Sequence, residues 1–138
     1  MVLLIDTNII IDVLEKRSEH FDHSKRIFEL CEIKRVEGHL STLSIANLIY
    51  VLRKELTPEL TEKVILLLNR IFTVDDLKAS DMIAASKMQA RDYEDAIQEA
   101  TAKRIKADYI ITRNQKDFSG CRVPAITPKR LLEMLENN

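Results

Sequence analysis

Three clusters of oxygen-bearing side chains stand out along the 138 residues of this chain. Asp6-Thr7-Asn8 follows an apolar N-terminal run. Asp92-Tyr93-Glu94-Asp95 opens a helical stretch, and Thr112-Arg113-Asn114-Gln115-Lys116-Asp117 follows a second apolar run. Asp95 and Glu99 are four residues apart, so on a helix their carboxylates share a face. Converging carboxylates suit a hard, oxygen-seeking cation such as Mg²⁺ or Mn²⁺, which takes one or two of them together with waters and substrate phosphate. Two such ions ~3.5–4 Å apart activate an attacking water and stabilise the leaving oxygen of a phosphodiester. The chain has no other evident grip on phosphate. Its only glycines are Gly38 and Gly120, against the roughly ten of average usage. Neither a G-x-G-x-x-G turn nor a G-x-x-x-x-G-K-[ST] loop can be built from two glycines.

Taken singly, each acid also fits a structural role. Asp6 or Thr7 suits an N-cap. Asp92, with Asp95 three residues on, resembles a capping box at a positive helix terminus. Asp117 suits a turn. Capping, however, does not require three acids at one place in a fold, and the elements decide whether they meet.

Val2 to Ile5 reads as a short buried strand. Residues 9–15 and roughly 20–35 read as amphipathic helices, with Gly38 as a helix stop and a strand near 37–42. Ser44 then caps a helix carrying Ile45, Leu48, Ile49 and Leu52, and Pro58 opens another that ends about Ile71. A strand at 72–74, a helix near 79–90 and a helix from Asp92 to about Ile105 follow. Asp108 to Thr112 is a β-branched strand, Val123 to Ile126 a last one, and Pro128 starts a closing helix. Alternating strands and helices predict an α/β fold, a mostly parallel sheet covered on both faces. Ligands of such sheets sit beyond the carboxyl ends of the strands, where all three clusters fall.

The bulk numbers predict one domain over residues 1–138: 46% hydrophobic, 31% charged, no repeat, no linker. No apolar run approaches the ~18 residues of a membrane span, and Met1 to Asp6 lacks the basic start of a signal peptide. Cys31 and Cys121 lack metal spacing and read as thiols in a reducing, cytoplasmic setting. Net charge is −1, which argues against a non-specific DNA coater but not against an enzyme that holds phosphate through a metal. His20 and His23 have H-x-x-H spacing without a third ligand, and His39 stands alone in a strand. Arg113, Lys116, Arg53 and Lys54 could contact RNA phosphates. Aromatics at 5% without Trp leave no extended stacking platform.

The stretches Leu4-Ile5-Asp6-Thr7-Asn8-Ile9-Ile10, Asp95-Ala96-Ile97-Gln98-Glu99-Ala100 and Ile111-Thr112-Arg113-Asn114-Gln115-Lys116-Asp117-Phe118, followed by Val123-Pro124-Ala125-Ile126-Thr127-Pro128, come in a recognisable order. The chain resembles the PIN-domain family of metal-dependent ribonucleases, whose small members include VapC-type toxins. The resemblance implies an α/β/α sandwich with sheet order 3-2-1-4-5 and Mg²⁺ or Mn²⁺ held by Asp6, Asp95 and Asp117. It places Asn114 beside them in catalysis, with Thr7, Asn8, Asn47, Thr112 and Glu99 in support. It further implies an RNA substrate, an antitoxin partner and a homodimer, while the short apolar runs imply no membrane association. Leu43, Tyr50, Leu56, Leu66 and Leu67 exceed the apolar needs of one helix face, which suits either an interface or a thick core.

The sequence departs from the family at two positions, Asn47 and Asn114, so the site loses two of the usual negative charges; many relatives carry Asp where Asn114 stands. The helix after the second strand usually carries Glu, and the matching position here is Asn47, whose amide brings no charge. Weaker metal binding, or one ion instead of two, is expected. Glu55 lies two turns further along. The alternative reading is a catalytically weak PIN-like module that binds RNA or protein. An aspartyl-phosphate enzyme is disfavoured because the position two after Asp6 is Asn8, not a second Asp.

Overall fold

The computed structural model describes residues 1–17, 19–88, 92–118 and 120–137. Among them the chain order is β1 (Val2–Ile5), α1 (Thr7–Leu14), α2 (Phe21–Glu32), β2 (Glu37–Ser41), α3 (Thr42–Val51), α4 (Pro58–Ile71) and β3 (Thr73–Asp75). It continues with α5 (Ala79–Ser86), α6 (Tyr93–Arg104), β4 (Tyr109–Ile111), a 3₁₀ turn over Gln115–Phe118, β5 (Ala125–Ile126) and α7 (Pro128–Glu136). The strands form one parallel sheet in the order β3-β2-β1-β4-β5. This is the expected 3-2-1-4-5 arrangement.

β1 is central because both of its faces are buried. Leu3 and Ile5 join the larger core with Ile9, Ile10, Ile27, Leu40, Leu48, Leu68 and Leu131. Leu4 points the other way, into a smaller core with Ala102, Ile110, Phe118 and Val123. The period-two alternation of a strand thus divides Val2–Ile5 between two helix layers. On one side lie α1, α2, α3, α4 and α7, and on the other α6, against which α5 packs through Ala85, Ala96 and Ile97. Burying three fully occluded leucine and isoleucine side chains on one four-residue strand stabilises the sheet by roughly 1.5–3 kcal/mol per side chain.

Helix starts follow the sequence signals. Thr57 and Thr127 accept from the backbone of Leu60 and Arg130, each with Pro at the first helical position. Two other expectations change. The cap of α3 is Ser41, whose hydroxyl accepts from Leu43 N. Ser44 is instead buried inside the helix, accepting from Gln98. Gly38 is not a helix stop but lies within β2. A Cβ there would stand 2.5 Å from Cys31 Sγ and 2.8 Å from Phe72 Cδ1, so packing requires the glycine. The helix near 79–90 ends at Ser86, and its expected last residues, 89 and 90, lie outside the described residues.

Among the described residues no helix is long and apolar enough to cross a membrane. Both cysteines are free thiols, Cys31 buried and Cys121 half-buried. The apolar surplus splits: Leu43, Leu56 and Leu67 pack against core residues, whereas Tyr50 and Leu66 are 66% and 61% exposed.

Candidate active site

Register places the first two site residues. Ile5 of β1 pairs with Ile111 of β4, so Asp6 and Thr112 leave the carboxyl edge of the sheet side by side. Asp6 N donates to Ile111 O at 2.9 Å, which closes the ladder at that point. Asp6 occupies the N-cap position of α1, yet its side chain makes no capping bond. Its Oδ2 accepts instead from Thr112 Oγ1 at 2.7 Å. Its carboxylate leaves the capping bond unmade and is held by a neighbouring strand, at the mouth of α1. Burial raises its pKa, while the Thr112 hydrogen bond works in the opposite direction.

α6 approaches the same edge from the second layer. Asp92 is a true cap, its Oδ1 accepting from Glu94 N at 2.8 Å and Asp95 N at 3.2 Å. The bond that fixes Asp92 leaves Asp95 free to face the cleft, because the capping role is already filled. Asp95 is pushed up to about 7, by burial first and then by Asp92, Asp117, Asp6 and Glu94 around it. Four neighbouring carboxylates disfavour the charged form of the fifth.

α3 is tied to α6 at two levels. In the interior, Gln98 Nε2 donates to Ser44 Oγ at 2.9 Å. One turn along α6 toward its N-terminus, Asn47 Nδ2 donates to Glu94 Oε1 at 2.8 Å. Asp117 arrives on the 3₁₀ turn, its N–H bonded to Asn114 O at 3.0 Å, and Asn114 N in turn donates to Thr112 Oγ1 at 3.1 Å. Thr112 therefore sits between Asp6 and the segment that delivers Asp117.

These residues surround an open cleft of about 440 Å³ lined by Asp6, Thr7, Asn8, Ile11, Asn47, Tyr50, Val51, Asp92, Glu94, Asp95 and Asp117. Thr7 contributes a second signal. It is 8% exposed, and its Oγ1 is buried without a hydrogen-bond partner at the cleft wall. An orphaned buried hydroxyl costs about 1–3 kcal/mol unless a ligand or water meets it. The donors on offer are carboxylate, amide and hydroxyl oxygens, a set that fits a hard divalent cation and not a soft one. Among the described residues no three His, Cys, Asp or Glu side chains converge into a ready-made metal cage. An acid-rimmed cleft of this kind suits an ion that keeps several of its waters.

The remaining sequence candidates fall elsewhere. Glu99 lies beside Cys121, whose thiol burial pushes up to about 11 with Glu99 adding to the rise. Asn114 is exposed and contributes its backbone to the Thr112–Asp117 segment, while its side chain does not line the cleft. Glu55 lines a separate groove with Leu14, Leu52 and Leu56. His20 and His23 line a pocket of about 250 Å³ with Arg113 and Lys129. Arg113 Nε stands 2.8 Å from Oδ2 of the fully buried Asp12, so its charge is committed to anchoring α1. Arg53 lies over the Tyr50 ring, 4.0 Å from its centroid, at the cleft rim. Lys54 and Lys116 are exposed and form no ion pair among the described residues. His39 is not alone: Asp75 Oδ2 lies 2.6 Å and Glu37 Oε1 2.9 Å from its ring nitrogens.

Sequence reasoning passed over Glu94 as a site residue. It stands beside Asp95 in the first turn of α6, where acids are common for helix-dipole reasons alone. Only the docking of α3 against α6 distinguishes it, and no local spacing carries that information.

Fold and site together define a class: a parallel α/β/α sandwich with an acid-lined cleft at the carboxyl edge of its central strands. A family model described as the PIN domain matches residues 2–116, and the chain belongs to that family. No curated protein matches it significantly. Among solved structures it is similar to a chain of a toxin–antitoxin complex from Klebsiella pneumoniae, with TM-score 0.69 and 23% identity, covering 91% of this chain and 97% of that one. VapBC2 from Rickettsia felis, bound to a DNA fragment from its promoter, matches with TM-score 0.70 and 19% identity over 92% and 98%. VapC20 of Mycobacterium tuberculosis, described as a Sarcin-Ricin loop cleaving toxin, matches with TM-score 0.61 and 13% identity over 78% and 86%. At these identities the likeness establishes the fold.

Proposed function

We propose that this protein is a metal-dependent endoribonuclease that hydrolyses RNA phosphodiester bonds, acting in the cytoplasm as the toxin of a toxin–antitoxin pair. The observation that carries the reading is the carboxylate of Asp6. It sits at a helix N-terminus, declines the capping bond, and is held by Thr112 toward a cleft that also receives Asp95 and Asp117. Those three acids are the residues that would hold Mg²⁺ or Mn²⁺. The ion, when bound, supplies Lewis-acid stabilisation of phosphate charge and lowers the pKa of a coordinated water.

The chain's own contributions are separable. Thr112 orients Asp6, Asp92 fixes the first turn of α6, and Ser44 with Gln98 sets the spacing of α3 against α6. The Thr7 hydroxyl offers an unfilled donor and acceptor to a water or a phosphate oxygen. Arg53 at the rim, with Lys54 and Lys116 on the exposed surface, provides cations for flanking phosphates. An antitoxin and a second copy of the chain are the proposed protein partners. Support comes from the toxin–antitoxin complexes among the structural relatives and from the exposed Tyr50 and Val51 beside the cleft.

The test is cleavage of RNA by the purified protein with Mg²⁺ or Mn²⁺, against EDTA and against Asp6→Asn. Metal catalysis supplies several kcal/mol of transition-state stabilisation. The variant should therefore lose about a hundredfold or more of the rate. Full activity in Asp6→Asn, or in EDTA, would sink the proposal.

A further inference from the structure

We infer that Glu94 supplies the carboxylate that Asn47 does not, so that the two residues together form one acidic metal-facing unit, with Asn47 as its positioning residue. This rests on the metal-dependent reading above. The departure at Asn47 removes a negative charge from α3. The structure places another within hydrogen-bond distance of the same spot, on a different helix: Glu94 Oε1 accepts from Asn47 Nδ2 at 2.8 Å, and both residues line the cleft.

The pairing is chemically selective. A glutamate at position 47 would set two carboxylates against each other in the space the amide–carboxylate bond now occupies. An asparagine there converts repulsion into a charge-assisted hydrogen bond worth about 1.5–3 kcal/mol. With its Nδ2 engaged by Glu94, the Asn47 side chain still has a carbonyl oxygen to offer as a neutral donor, and Glu94 keeps a second carboxylate oxygen.

Position supports the assignment. The N-terminus of α6 is already capped by Asp92, so Glu94 is not needed to satisfy the first-turn N–H groups. Glu94 lines the same cleft as Asp6 and Asp95. The unpartnered, buried Thr7 hydroxyl in the same wall independently marks the cleft as a place where a ligand oxygen or water belongs. The acids facing the cleft on this assignment are Asp6, Glu94, Asp95 and Asp117, with Asp92 committed to its cap.

The experiment is calorimetric titration of Mn²⁺ into four metal-stripped proteins: the wild type, Glu94→Gln, Asn47→Glu and the double variant Asn47→Glu/Glu94→Gln. Thermal melts in EDTA verify that each is folded. Glu94→Gln should weaken Mn²⁺ binding by about tenfold or more, the loss typical of a ligand-supporting group. The double variant, which moves the single carboxylate from α6 to α3, should recover most of that affinity. Wild-type affinity in Glu94→Gln overturns the inference. So does a double variant no better than Glu94→Gln, since a merely structural Glu94 would not be rescued from position 47. If the wild type itself takes up no Mn²⁺, the metal-dependent reading fails first and the assignment of Glu94 with it. A conserved wild-type heat therefore separates the two failures.

Discussion

Thr112 shows how one side chain can govern a site without touching a reactant. It is fully buried, donates to Asp6 at 2.7 Å and accepts from the backbone of Asn114 at 3.1 Å. Replacing it with valine keeps its shape and removes both bonds. Asp6 then loses the larger of the two interactions that offset its burial, and its protonated form gains relative to the carboxylate a metal requires. Thr112→Val should weaken Mn²⁺ affinity by about tenfold with little change in fold, read by calorimetry beside a thermal melt. Unchanged affinity would show that the Thr112 bond does not tune the site. The same residue illustrates how far local sequence reaches. Asp6, Asp95 and Asp117 are legible as acids after strands or at a helix start, but whether an acid caps or faces a cleft depends on a hydrogen bond 106 residues away in sequence.

At the scale of elements, three helix starts were legible from their caps and the ends of α4 and α6 fell where expected, whereas the cap of α3 is Ser41 and not Ser44. Thr57-Pro58, Asp92 and Thr127-Pro128 announce helices through side chains that bond their own backbone. The one glycine expected to stop a helix, Gly38, lies in β2, and this chain closes three helices on lysine instead. Lys16, Lys34 and Lys106 adopt φ of 51°, 60° and 57°. Around Lys106, Lys106 N bonds Lys103 O and Ala107 N bonds Ala102 O, the paired closure that glycine usually makes. A left-handed residue other than glycine costs about 1–2 kcal/mol. Lys106→Gly should thus raise stability by up to about 1 kcal/mol once the extra freedom of the unfolded glycine is set against that cost. Chemical denaturation measures it, and a loss of stability would show that the lysine side chain contributes more than its backbone strain takes away. The placement of α5 against α6 depends on Asp81, 2% exposed and held by two bonds from Arg104, at 2.8 and 3.0 Å. Burial acts to raise the Asp81 pKa, but the Arg104 and Lys78 interactions outweigh it and the net shift is downward. With the folded value below the unfolded one, this contribution is present above the unfolded pKa of about 3.8. It is lost as pH falls through the lower folded value. Asp81→Asn should cost about 3 kcal/mol at neutral pH, the lower end for breaking a buried pair because Arg104 retains some water contact. The deficit should shrink in acid, and a deficit independent of pH would assign it to packing instead of charge.

For the whole molecule, a net charge of −1 and an acid-lined cleft leave no broad field to draw in an RNA. Attraction has to come from a few local cations, and the structure reduces the number available. Of the four cations proposed to meet RNA, Arg113 is committed to buried Asp12, which leaves Arg53 on the Tyr50 ring at the rim, together with the exposed Lys54 and Lys116. On the proposed RNA-binding reading, contacts from these three cations to a single strand predict a shallow salt dependence, with log K against log salt falling with a slope of about −2. A positively charged nucleic-acid groove would give a much steeper line. Binding measured with Asp6→Asn in EDTA isolates this term from catalysis and from metal. Arg53→Ala should make the slope shallower by about one contact's worth, near 0.7, and weaken binding about equally across RNA sequences, because phosphate contacts carry no base information. A steep slope that ignores Arg53 would move the RNA surface away from this rim. A shallow slope that responds to Arg53 would mean that the few rim cations hold the RNA while the metal-facing acids provide the chemistry.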